Sequence, residues 1–339
     1  MTENTENPED RPMTDRMRRV LDLALLIAGL CLTIPSAATA QDWPARNITV
    51  IVPLGAGSAS DIVARVVMDQ VGKQLGQNVI VENRPGAGGT IGANMVAKAA
   101  PDGYTMLIYG AFASAHALYS KLPYDSLNDF VPVIALGQQP LVIVGAPAKG
   151  YRTLGDLIAA GKGKPGSLNY STAGVGSASH FGAERLRASA GFTAQHIPFK
   201  GASEAVTDVI AGRSDFSVQL TSTTVPQIRE GTLVALAVSA HKRIGLLPDV
   251  PTTIESGLPA ESVYAFYTGM YLPAKTPPDI VAKLHQETAK ALQTDAVKAR
   301  LATLGVEPLP LPQPEFAKFI RDDIEANVAL VKAAGIPTQ

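Results

Sequence analysis

Short runs of Val, Ile and Leu recur along this chain, each halted by a proline or a small-residue turn and followed by helical spacing. The first run, Ile48-Thr49-Val50-Ile51-Val52, stops at Pro53 and a small-residue loop that reaches Ser60. Ile62, Val63, Val66, Val67 and Val71 then share one face of a helix predicted over 61–75. Val79-Ile80-Val81 gives a second strand, the turn from Arg84 to Gly89 opens a helix over 91–99, and 105–108 gives a third strand. The pattern resumes with strands at 141–144, 168–171, 195–198, 216–220 and 234–239. Helices are predicted after Thr153, from about 180, and over 203–211, 279–293 and 314–334. Thr153 and Asp156 have capping-box spacing at the head of theirs. Parallel strands need a crossover and a helix supplies it, so this alternation predicts an α/β fold of βαβ units in doubly wound sheets.

Length and charge narrow the function. At 339 residues the chain is long enough for about two domains. Its 29 basic and 30 acidic side chains leave no basic excess, which excludes a nucleic-acid partner. Arg16, Arg18 and Arg19 precede an apolar run that ends near Ile34, and Ala38-Thr39-Ala40 follows as a small-residue cleavage pattern. The run is shorter than the roughly 20 residues a membrane span needs. Residues 1–40 therefore read as a secretory signal peptide, with the mature chain starting near Gln41 in the periplasm. The single cysteine, Cys31, lies in that leader, so no disulfide framework is available.

Two loops stand out chemically. Leu54-Gly55-Ala56-Gly57-Ser58-Ala59-Ser60-Asp61 joins a strand to a helix with no Lys or Arg. Small side chains let a ligand reach the backbone, and a helix N-terminus offers unpaired N–H groups and a positive dipole end. The same residues fit two other roles. Ser58 and Asp61 have capping-box spacing and would then only start the helix. Gly55-x-Gly57 with Glu82 is a partial dinucleotide fingerprint whose third glycine position holds Ser60. Thr172-Ala173-Gly174-Val175-Gly176-Ser177-Ala178-Ser179-His180 repeats the loop design in the second half. His180 reads as a ligand contact, a base or a core histidine.

Catalytic and metal chemistry find little support. No two of His116, His180, His196, His241 and His285 lie three or four residues apart. There is no G-x-S-x-G elbow. No cofactor or metal is expected, and no enzymatic activity.

Longer motifs carry a resemblance. Val52-Pro53 running into Asp61-Ile62-Val63-Ala64-Arg65 is the first. Val81-Glu82-Asn83-Arg84-Pro85-Gly86-Ala87-Gly88-Gly89 and Pro101-Asp102-Gly103-Tyr104-Thr105 are more specific. Leu122-Pro123-Tyr124-Asp125, Asp129-Phe130-Val131-Pro132-Val133, Leu168-Asn169-Tyr170 and Leu247-Pro248-Asp249-Val250-Pro251-Thr252 continue in order. Together, across 43–336, they resemble the Bug (Bordetella uptake gene) family, the extracytoplasmic solute receptors of tripartite tricarboxylate transporters.

The resemblance implies a type II periplasmic-binding-protein fold, with two doubly wound domains around a ligand cleft. Domain 1 would be 41–145 plus 268–339, and domain 2 would be 146–267. It implies a small carboxylate held by loop amides and hydroxyls, with transient delivery to membrane transporter subunits by a monomeric receptor. Carried over, the ligand residues are Leu54 to Asp61, then Thr172, Ala173, Gly176, Ser177 and His180, with Phe199, Asp215 and Tyr267. Leu54 stands where the family carries Phe, Ser58 where it carries a second Gly, and Ala113-Ser114-Ala115-His116 lacks its Asn-Pro pair. Phe112 lies nearby as core or as a hydrophobic wall. These departures leave room for an aromatic dicarboxylate. A sensory adaptor for a membrane receptor and an exported enzyme are the other functional classes compatible with the sequence.

Overall fold

The computed structural model describes residues 43–338. The signal peptide expected over 1–40 lies outside the described residues. Nine strands form one mixed sheet in the order β2-β1-β3-β9-β4-β7-β5-β6, with β8 also paired to β4. They are β1 (Ile48–Val52), β2 (Val79–Asn83), β3 (Thr105–Tyr109), β4 (Phe130–Gly145), β5 (Leu168–Thr172), β6 (Ala194–Pro198), β7 (Phe216–Leu220), β8 (Val234–Ser239) and β9 (Ala265–Pro273). The helices are α1 (Ala59–Leu75), α2 (Thr90–Ala97), α3 (Phe112–Leu118), α4 (Leu154–Gly163), α5 (Ala178–Ala190), α6 (Ala202–Ile210), α7 (Thr221–Arg229), α8 (Pro278–Gln293), α9 (Asp295–Thr303) and α10 (Gln313–Ala334).

Parallel pairing holds where the sequence predicts βαβ units: β1 with β2 and β3, and β5 with β6 and β7. The centre is antiparallel instead. β9 runs against β3 and β4, and β4 runs against β7 and β8. β4 is the joint of the molecule. Its residues up to Pro140 pair with β9, and from Leu141 onward they pair with β7 and β8. Lobe 1 is the half built on β1–β3 and β9; lobe 2 is the half built on β5–β8. Pairing therefore changes hands between Pro140 and Leu141, five residues before the domain limit read from sequence. The chain returns in β9, which starts at Ala265.

Each lobe has its own core. Val50, Val67, Ile108, Leu136, Met270 and Leu284 belong to lobe 1, and Ile143, Leu157, Tyr170, Phe181, Phe216 and Val218 to lobe 2. Phe112 is core, stacked on Tyr271 with ring centroids 4.3 Å apart. α10 serves both lobes. Phe316, Ile320 and Ile324 enter an aromatic cluster of lobe 1, while Leu330 and Val331, joined by Ile336 just past the helix, enter the lobe 2 core. Between them, Arg185 of α5 donates to Asp323 at 3.3 Å and to Asn327 at 3.1 Å.

Candidate functional site

The two loops singled out in the sequence end at the N-termini of α1 and α5, each at the C-terminal end of a parallel strand. Open α/β sheets place their ligands at such strand ends. Ser58 caps α1, its hydroxyl accepting from the Asp61 N–H at 3.3 Å. Asp61 is buried and fully engaged. It accepts from Gly57 N at 2.9 Å, Arg65 Nε at 3.0 Å and Asn83 Nδ2 at 3.0 Å. Burial pushes its carboxyl up, but the bonds from Gly57, Arg65 and Asn83 outweigh that and hold it below 3.8. Asn83 also donates to the Leu54 carbonyl, and Gly57 turns through φ +80°. Asp61 therefore shapes the loop rather than offering itself to a ligand. Gly55, Ala56 and Gly57 are exposed, and the N–H groups of Ala59 and Ser60 carry no bond to any described residue. The Ser60 hydroxyl is fully buried without a partner.

Loop 2 repeats this arrangement with different chemistry underneath. Ser177 caps α5, accepting from His180 N–H at 3.3 Å, and its own proton goes to the Gly174 carbonyl at 2.7 Å. Ser179 Oγ accepts from Ala173 N at 2.9 Å and lies 2.9 Å from Ser177 Oγ. The Ser177 hydroxyl expected to hold ligand is thus already engaged in building the loop. The donors left open are the N–H groups of Val175, Ala178 and Ser179. Gly176, at φ +81°, donates to His180 Nδ1 at 3.2 Å, which places the imidazole proton on Nε2. His180 stacks on His196 with centroids 4.1 Å apart, and His196 stacks on Tyr170. Thr172 Oγ1 lies 2.6 Å from His196 Nε2. Burial, then the Arg187 charge, brings His180 down to about 4. Burial, then His180 itself, brings His196 down to about 4. Both rings are neutral at pH 7, and His180 is a loop-shaping histidine.

Both loops approach the segment from Gly110 to Leu118, one at each end. A Cβ placed on Gly176 would lie 2.3 Å from Leu118 Cδ1 at the end of α3. At the start of α3, a Cβ on Gly110 would lie 2.2 Å from Phe266 Cζ and 2.9 Å from Ser60 Oγ. Phe199 joins loop 2 through its N–H, which donates to the Thr172 carbonyl at 2.9 Å.

Two of the expected ligand residues lie away from the loops. Asp215 sits level with Asn169, near the start of β5, about 10 Å along the strand from Thr172. Its carboxylate accepts from Lys149 Nζ and Asn169 N, both at 2.8 Å, so it is a structural tie. Tyr267 is buried and points toward α10, edge-on to Phe319 at 4.9 Å and to Phe316 at 6.4 Å. Neighbouring strand residues face opposite sides, so the aromatic at the seam is Phe266, which motif matching passed over. Strand alternation on β9 was the signal for it.

Among the described residues no group of three His, Cys, Asp or Glu side chains is placed to hold a metal. No described helix is long and apolar enough to cross a membrane. The family described as tripartite tricarboxylate transporter family receptor matches residues 63–336. BugT of Bordetella pertussis is 34% identical over 94% of this chain and 98% of that protein. MatC from Rhodopseudomonas palustris, solved with bound malate, is 33% identical, with a TM-score of 0.72, covering 85% of this chain and 100% of that one. A second R. palustris protein, Rpa4515 with adipate, is 29% identical, with a TM-score of 0.76, covering 88% and 100%. Family match and fold likeness agree: the chain belongs to the tripartite tricarboxylate transporter family receptors, which are solute-binding receptors and not enzymes.

Proposed function

We propose that this receptor works in the periplasm, captures a small carboxylate in the seam between its lobes, and passes it to the membrane subunits of a tripartite tricarboxylate-type transporter. The carrying observation is the pair of helix N-termini, one in each lobe, each with open N–H groups at its first two positions. Partly buried dipole contacts contribute up to about 2 kcal/mol, and each hydrogen bond to a charged group about 1.5–3 kcal/mol. These together offset much of a carboxylate's desolvation. The Ser60 hydroxyl adds a donor that gains a partner when ligand arrives. Similar receptors bound to malate and adipate support a carboxylate, and an aromatic dicarboxylate belongs to the same chemical class.

Ala178→Pro tests the reading. Proline is favoured at the first helical position, and Ser177 already has the extended backbone (φ −69°, ψ 162°) that a following proline requires. The variant removes one anion-facing N–H and leaves the helix intact. Calorimetry with adipate and malate should show binding weakened about 10-fold or more, with the unliganded melting temperature nearly unchanged. Unaltered affinity would place the anion elsewhere.

A further inference from the structure

We propose that Phe266 sets the specificity of this receptor, selecting dicarboxylates with an apolar body over hydroxylated ones. The proposal rests on the reading of the seam as a carboxylate site and names the class of carboxylate.

Phe266 lies opposite Gln139, one residue before β4 changes partners, so its ring stands at the joint of the lobes. The ring is half-buried, packs beside the lobe 2 core, and closes against Gly110 of lobe 1. A Cβ at 110 would overlap the ring where it now stands. The same point is 2.9 Å from the Ser60 hydroxyl, which is fully buried and unpartnered. An orphaned hydroxyl destabilises the empty protein, and a carboxylate oxygen that accepts from it relieves that cost. The group covalently next to that carboxylate then meets an aromatic ring.

Ser60 approaches the chain at Gly110 and Gly176 approaches it at Leu118, so the two loops reach the two ends of the segment that holds α3. Along α3, Ala113, Ala115 and Ala117 are apolar and the Ser114 hydroxyl is bonded back to the Ala111 carbonyl, which leaves His116 as the other polar side chain of the helix.

Calorimetry with adipate, terephthalate and malate decides the matter, using the full mature chain and checking the melting temperature of each variant. The wild type should bind adipate or terephthalate about 10-fold or more tightly than malate. Phe266→Leu and Phe266→Ala should weaken the favoured diacid about 10-fold while malate stays within about 3-fold. Tyr267→Phe, altered on the α10 side of the strand, should leave all three unchanged. A wild-type preference for malate, or equal losses for all three in both Phe266 variants, would overturn the assignment. If Ala178→Pro still weakens binding in that case, the carboxylate site stands and only the role of Phe266 falls.

Discussion

Single side chains in this receptor mostly hold the loops in shape, and in the proposed site they leave the anion to the backbone. Asp61, Ser177 and His180 looked in sequence like ligand groups, and all three already bond to their own loop. The two histidines have the clearest consequence. Each is neutral in the folded protein, with its pKa moved from 6.5 down to about 4 by burial. Between those values the unfolded chain takes up protons that the folded chain refuses, so the stability they confer is complete above about pH 6.5 and lost as pH falls toward 4. The groups facing the pair are Tyr170 on β5 and Glu184 and Arg187 on α5. Urea midpoints should therefore drop steadily from pH 7 to pH 4.5 in the wild type, and less steeply in His196→Gln. Parallel profiles for the two proteins would show that the stack does not titrate with unfolding.

At the level of elements, the caps decide where the site can be. Ser177→Ala removes the acceptor for His180 N–H and the donor to Gly174, and should lower the unliganded stability by about 1 kcal/mol in urea denaturation. A stability equal to wild type would mean the cap contributes nothing to α5. Such local chemistry was legible in sequence: the Thr153–Asp156 capping box makes both of its hydrogen bonds, and β1 and β7 occupy the predicted residues. The misses have physical causes. Pro132, Gly137 and Pro140 conceal the first part of β4, which tolerates them through register shifts around Pro132 and Gly137. Pro226 lies inside α7, and α3 is too short for periodicity to register. Tyr267 and Phe266 differ by register, since one residue along a strand reverses the face. Asp215 shows another limit, because a motif position does not say which end of a strand it occupies.

For the whole molecule, the important fact is that the lobes share more than a hinge. β4 passes from one to the other, β9 returns, and α10 drives its last turns into the core opposite its first. Urea should therefore unfold the described region in a single transition. Leu330→Ala, though carried by the C-terminal helix, should destabilise that whole transition by about 2 kcal/mol. Two separate transitions, with Leu330→Ala shifting only one, would show independent lobes. The loops themselves, free of Lys and Arg, carry a consequence for the setting in which such a receptor works. Arg65, bonded beside the first loop, is paired with Asp61, so the proposed site would attract its anion mainly through short-range dipoles. Ionic atmospheres screen charge pairs far more than contacts made inside a closed seam. A receptor built this way gives up long-range steering of its ligand. In exchange, its affinity holds nearly constant while the salinity outside the cell rises and falls.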